Sequence, residues 1–367
     1  MKWDMERLLQ PLWQGNEVYR ESFMPVRAPE EALQVPLLYQ PETVTELWNA
    51  EMTTRYEPER DYRIQDGQLF IPAGSRIVGM TPDTYYPSHF EPGGCFWRRG
   101  GGYLKFSEGN YFHRYQYVVS YTHAGTWQGP VPQGQLASLP RLAGKLRDGR
   151  PVKVLFYGDS ITTGANSSAV TGIAPYQPDW CQMVMAGLSA RWPKAALSSV
   201  NTAVGGTVSA WGLEEVQHRA AAHRPDLAVI AFGMNDGSMG VSPEAYRDHI
   251  AGMMEAISAA QPEAEFVLVS TTVPNREALL TNDRPRHPET DEPGLEERGF
   301  YGTHDELLPA LRQLCGPGAV LADMTGMHHG LLTRKTFRDM TGNNVNHPND
   351  FLARVYAQTI LAVLEDA

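Results

Sequence analysis

From Val152 to the C-terminus, short apolar runs alternate with helix-like stretches, and no other feature of this chain constrains its fold as tightly. The runs fall at 152–157, 196–200, 227–232 (Leu-Ala-Val-Ile-Ala-Phe), 266–271 (Phe-Val-Leu-Val-Ser-Thr) and 319–322. Runs this short and this continuously apolar read as strands covered on both faces, the condition of a parallel sheet. The clearest helix between them spans 243–260, where Ser242 can cap the first turn and Pro243 suits its first position. Tyr246, Ile250, Met253, Met254 and Ile257 then recur on one buried face. A last helix over 350–364 places Leu352, Val355, Tyr356, Ile360 and Val363 on one face. Such alternation predicts a parallel sheet with helices on both sides.

Residues 1–145 follow another pattern. Short alternating or aromatic stretches, such as Asp61-Tyr62-Arg63-Ile64 and Gln116 to Tyr121, are separated by Asp66-Gly67, Pro72-Ala73-Gly74, Pro92-Gly93-Gly94 and the glycines at 100–102. Many short strands with Gly/Pro punctuation predict a β-sandwich of jelly-roll-like character. Residues 126–151 read as the linker, so the domains expected are 1–145 and 146–367. The aromatics from Tyr85 to Tyr121 could stack on sugar rings, but a sandwich core needs them too, and core packing is the preferred reading. The charged, Pro-rich segment 275–301 reads as a solvated loop, with a lid or substrate-contacting loop as the sharper alternative.

With 367 residues, 42% hydrophobic and 20% charged, the chain has ample material for a core. Its net charge of −11 argues against a nucleic-acid partner, which needs clustered Lys and Arg. No window approaches the ~18 consecutive apolar residues of a membrane span, and the first residues lack the apolar run of a secretory signal. Cys95, Cys181 and Cys315 are odd in number and widely spaced, so reduced thiols in a cytoplasmic protein are expected. Homo-oligomerisation is left open. No paired-Cys or His-Glu-x-x-His metal pattern and no phosphate-binding glycine loop is present, so neither metal nor cofactor is expected. His328 and His329 are adjacent and should point apart rather than share an ion.

Four segments carry chemistry. Gly158-Asp159-Ser160 follows the first strand, Asn201 to Thr207 the second, and Gly233-Met234-Asn235-Asp236 the third. Gly342-Asn343-Asn344-Val345-Asn346-His347-Pro348 precedes the last helix. In a parallel sheet these positions converge on one edge and bring together a hydroxyl, a small backbone donor, a carboxamide and an imidazole. Acyl transfer needs those parts: a nucleophile, a base for its proton and donors for the developing oxyanion. A two-metal phosphoesterase could use Asp159, Asn235 and His347, but further Asp and His ligands at strand ends are not evident.

With these four blocks in this order, residues 150–365 resemble the SGNH (GDSL-like) hydrolase superfamily. The Gly-x-Ser-x-Gly elbow of the α/β-hydrolases is absent around Ser160. The resemblance implies a flavodoxin-like three-layer α/β sandwich. It implies Ser160 as nucleophile, with Gly206, Asn235 and the Ser160 amide as oxyanion donors, and His347 as general base. Asp159 and Asp236, beside these residues, take supporting roles. The pairing of such a domain with an N-terminal sandwich resembles two-domain carbohydrate esterases, which implies removal of an acetyl group from a sugar. A short-chain lipase or thioesterase, and a catalytically degenerate carbohydrate-binding protein, are the rival readings.

One position departs from the pattern. The family usually has Asp three residues before its His, and here Asn344 stands there. An amide can accept a hydrogen bond from imidazole but carries no charge to stabilise imidazolium. Asn344 is therefore the candidate third catalytic residue unless a backbone carbonyl or another carboxylate, Asp339 and Asp350 being nearest in sequence, orients His347.

Overall fold

The computed structural model describes residues 3–280 and 299–366. In chain order the N-terminal strands are β1 (Glu17–Phe23), β2 (Leu33–Val35), β3 (Thr43–Asn49), β4 (Arg63–Gln65), β5 (Gln68–Ile71), β6 (Cys95–Arg98), β7 (Tyr103–Lys105) and β8 (Tyr117–Thr122). The strands that follow are β9 (Val152–Gly158), β10 (Leu197–Asn201), β11 (Leu227–Ala231), β12 (Glu265–Val269), β13 (Ala278–Leu279) and β14 (Ala319–Ala322). The helices are α1 (Met5–Leu9), α2 (Pro82–Tyr85), α3 (Pro140–Arg147), α4 (Trp180–Arg191), α5 (Ser209–Glu214), α6 (Val216–Arg219), α7 (Met234–Met239), α8 (Pro243–Ala260), α9 (His304–Arg312), α10 (Met324–Leu332) and α11 (Asp350–Val363).

The five expected apolar runs form one parallel sheet in the order β10-β9-β11-β12-β14. This is the flavodoxin-like order, in which ligands bind beyond the carboxyl ends of the strands where the winding reverses. The reversal falls at β9, which pairs with β10 on one side and β11 on the other. Its side chains are buried from Val154 to Gly158, so the chain leaving it at Asp159 emerges from the middle of the edge. Helix α8 begins as expected, with Ser242 Oγ accepting from the Ala245 amide and Tyr246, Ile250, Met253 and Ile257 buried.

The β-rich N-terminal region comprises three small antiparallel sheets, ordered β1-β8-β3, β2-β5-β4 and β13-β6-β7. The third is completed by β13, a strand from beyond the parallel sheet's fourth member, which pairs Ala278 with Arg98 and Leu279 with Trp97. That strand lies in the segment read as a solvated loop or lid. Its described ends are thus bound to the N-terminal region, while 281–298 lie outside the described residues.

Two expectations change with the packing. Residues 126–151 do not act as a free linker. The Gln135 and Leu136 amides donate to Val363 O and Glu365 O at 2.8 and 3.0 Å, and α3 buries Leu142, Ala143 and Leu146. Helix α3 has no side-chain cap of its own. The carboxylate of Glu265 replaces it, accepting from the Arg141 and Leu142 amides at 3.2 and 2.8 Å, an anion where the helix exposes unpaired N–H groups. The boundary expected at 145/146 therefore lies inside a packed helix.

Likewise α11 buries more than one face: every residue from Phe351 to Val363 is buried. It lies between α4, where Tyr356 stacks on Trp180 at 5.8 Å, and the N-terminal elements α1 and β1. One apolar cluster runs from Leu8 and Phe23 through Phe156 to Leu364. A buried ion pair also crosses between the two regions, Lys335 Nζ against Glu21 at 2.5 Å, with neither side chain exposed. Tyr121 OH donates to the same carboxylate at 2.6 Å. No helix among the described residues is long and apolar enough to cross a membrane.

Candidate active site

Gly158 ends β9 at a point where a side chain has no room. A Cβ there would lie 2.3 Å from Ala231 O and from Thr162 Oγ1. The chain then turns tightly, with the Thr163 amide bonding Asp159 O and the Ala165 amide bonding Ser160 O, both at 3.1 Å. Asp159 faces inward and accepts from the Ile161 amide at 2.9 Å. Burial pushes its carboxyl up to about 7; the Asp236 charge adds to this, while the Ile161 and Met234 amides and His347 oppose it. Asp159 therefore braces the turn from below, leaving Ser160 to face the edge.

His347 reaches that edge from the loop before α11. Its Nε2 lies 2.9 Å from Ser160 Oγ. The loop is organised by Asn343, a fully buried residue whose Oδ1 accepts from the amides of Val345, Asn346 and His347, each at 3.0 Å. Short amide side chains favour turns because they can replace the backbone as acceptor in this way. The His347 carbonyl accepts from the Gly342 amide at 2.9 Å, which closes the loop on itself.

The other imidazole nitrogen meets two residues that sequence reasoning missed. Nδ1 is 2.6 Å from Asn166 Oδ1 and 3.1 Å from Glu108 Oε2. The orientation of the Asn166 amide is set independently, because its Nδ2 donates to Gly109 O at 2.7 Å and Gly342 O at 3.4 Å. Oδ1 therefore faces Nδ1, Nδ1 carries the hydrogen, and Nε2 presents its lone pair to the Ser160 hydroxyl. Asn166 sits in the turn after the nucleophile at φ +64°, a left-handed conformation that Asn tolerates. From sequence it is an ordinary turn residue. Glu108, in the N-terminal region, offers no local signal at all.

Asn344 does not take the place expected of it. Its side chain is fully buried and points away from the imidazole. Oδ1 accepts from Tyr85 OH and Nδ2 donates to Lys105 O, each at 2.9 Å. At φ +68°, Asn344 anchors the loop to the N-terminal region. The two nearest acids are engaged elsewhere: Asp339 accepts from the Met24 and Thr336 amides, and Asp350 from the Ser168 amide.

The expected oxyanion side is assembled from two loops. The Thr202 and Val204 amides bond Phe156 O and Gly158 O at 3.0 and 3.1 Å, extending the β10–β9 pairing into the Gly205-Gly206 turn. A Cβ on Gly205 would lie 3.6 Å from Ser160 Cβ. Gly206 has φ +77°, a conformation costly for residues with a side chain. Asn235 stands in the first turn of α7, and its Nδ2 donates to Thr207 O at 2.9 Å. Asp236, buried next to it, accepts from the Ser209 amide at 2.9 and 3.1 Å. Burial raises its carboxyl, and the Ser209 bonds oppose that rise. Thr207 and Ser209 are thus both tied to α7.

The adjacent histidines diverge: His328 Nδ1 accepts from the Val273 amide at 3.1 Å inside the core, whereas His329 faces Asp305 at 2.6 Å. Among the described residues, no group of three His, Cys, Asp or Glu is placed to hold a metal.

Solved structures with a related arrangement include a two-domain esterase active on acetylated mannans, crystallised with mannopentaose, at 20% identity and TM-score 0.47. That match covers 64% of this chain and 55% of the other, so the chain spans about half the length of that esterase. An acetylxylan esterase from Geobacillus stearothermophilus matches at 14% identity and TM-score 0.41, over 59% of this chain and 95% of its own. An α/β hydrolase from the metagenome of Lake Arreo, Spain, matches at 18% identity and TM-score 0.42, over 58% and 94%. No curated protein matches the chain. The model of the GDSL-like lipase/acylhydrolase family matches residues 156–354, more than half of the sequence and the stretch that holds Ser160, Asn235 and His347, and the chain belongs to that family.

Proposed function

We propose that this protein is a serine ester hydrolase that removes a short acyl group, acetyl in the first instance, from a carbohydrate or similar polyhydroxylated molecule. The observation that carries the reading is the 2.9 Å approach of His347 Nε2 to Ser160 Oγ, with Nδ1 held by acceptors on its far side. Ser160 Oγ attacks the ester carbonyl as Nε2 takes its proton. The tetrahedral oxyanion forms against the Ser160 and Gly206 amides and Asn235 Nδ2. Its collapse expels the alcohol, which receives the proton from His347. Water, activated by the same imidazole, then releases the acid and restores Ser160. Family membership supports ester hydrolysis.

A fluorophosphonate or sulfonyl fluoride probe should label the wild type at Ser160, and peptide mapping checks the position. Absence of labelling together with sugar binding would favour a degenerate binding protein. In a series of 4-nitrophenyl esters, acetate and propionate should give the highest kcat/KM; preference for chains beyond about six carbons would overturn the short-acyl assignment, each methylene being worth about 1–3 kcal/mol in a fitting pocket. Release of acetate from acetylated oligosaccharides tests the alcohol side. Asn235→Ala should lower kcat by about 10²–10³ with little change in KM, the usual cost of one oxyanion donor.

A further inference from the structure

The Asn166 amide fixes the direction of the imidazole but brings no charge to it. Imidazolium forms each time His347 takes a proton, and replacing a charged orienting residue by its amide lowers turnover about 10⁴-fold in a serine protease. We propose that Glu108 is the positioning residue that supplies this charge from the N-terminal region, so that the site is complete only when loop 107–109 is docked on the His347 loop. The inference rests on Ser160 and His347 being nucleophile and base.

Both Glu108 oxygens are engaged. Oε2 lies 3.1 Å from His347 Nδ1, and Oε1 accepts from Asn343 Nδ2 at 3.1 Å. Asn343 is the residue that gathers the backbone of the His347 loop, and Gly109, the next residue along, gives its carbonyl to Asn166. One short segment therefore touches His347 and both side chains that shape its position. Burial pushes the Glu108 carboxyl up, but the hydrogen bond and charge of His347, with the Asn343 and Asn166 bonds, outweigh it and hold the group below the usual carboxylate range. Glu108 is therefore ionised at neutral pH. Its side chain is 54% exposed and that of His347 11%, so solvent weakens the pair without dissolving it. The other carboxyl acting on His347 is Asp159, buried behind Ser160, and it is unchanged by substitutions at 108.

The test compares wild type with Glu108→Gln, with Glu108→Ala as a second variant. The first measurement is the His347 imidazole titration by NMR, which requires no turnover. A carboxylate at this distance favours imidazolium, so the imidazole should titrate at lower pH in the variants than in the wild type. In the kcat/KM profile for 4-nitrophenyl acetate, the acid limb should move in the same direction. At its optimum, kcat should fall at least about 10-fold with KM nearly unchanged. Glu108→Asp, which keeps the charge one methylene further away, should lie between wild type and Glu108→Gln. A His347 titration and kcat unchanged in both Gln and Ala variants would overturn the proposal and leave Asn166 as the sole orienting group. A wild type without esterase activity would count against the esterase reading instead, while the NMR titration still decides the role of Glu108.

Discussion

Ser160→Ala is expected to lower kcat for 4-nitrophenyl acetate by about 10⁴–10⁶. The size follows from geometry. Ser160 Oγ is the hydroxyl facing His347 Nε2, and the turn that presents it is held by Gly158, Asp159 and Ala165. Removing the oxygen takes away the nucleophile and leaves the oxyanion donors only a small residual rate of direct attack by water to assist. His347→Ala should cost nearly as much, and the double variant little more than either, because nucleophile and base act as a unit. The assay is best run with EDTA present, so that metal-dependent contaminants contribute nothing. A Ser160→Ala protein as active as wild type would place the chemistry elsewhere in the chain.

The second large effect is on stability, at the position where family and sequence disagree. Asn344→Asp recreates the Asp-x-x-His spacing, and from sequence alone it should raise activity if residue 344 orients His347 and be neutral or harmful if another acceptor does. The structure predicts the second outcome. Asn344 is fully buried, and its Nδ2 is the donor to Lys105 O. An aspartate would set an oxygen against that carbonyl and bury a charge with Tyr85 OH as its donor. The expected loss is about 3 kcal/mol of folding stability, read as a lower denaturant midpoint at unchanged slope, with no rise in kcat per folded molecule. Desolvation would raise the folded pKa of the new carboxyl above its unfolded value of about 3.9, so the penalty applies above that pH. Below about pH 4 both states are protonated, and the deficit should close. Higher kcat at undiminished stability would return Asn344 to the orienting role.

The same residue shows where sequence reading stops. Asn344 stands three positions before His347, and spacing invites the inference that it points the same way. It does not, because a left-handed backbone at φ +68° turns its side chain toward Tyr85 and Lys105. The last helix is a similar case: its apolar stripe is legible, but the burial of its remaining faces depends on α4 and the N-terminal elements that enclose it. The positions of Asn235 and His347 in the fold were legible because each sits at a strand end or just before a helix, in a motif of neighbouring residues.

What the sequence determined by itself is the part governed by local patterns. Continuous apolar runs require strands covered on both faces, their alternation with helices requires a parallel sheet, and the order of the four blocks brings Ser160, Asn235 and His347 to one edge. Tertiary structure alone decided what the far side of the imidazole meets. The partners of Nδ1 lie 181 and 239 residues away in sequence, one in the turn after the nucleophile and one in the N-terminal region. A hydrogen bond depends on tenths of an ångström and on side-chain direction, which are set by how loops pack against one another. No periodicity along the chain encodes that.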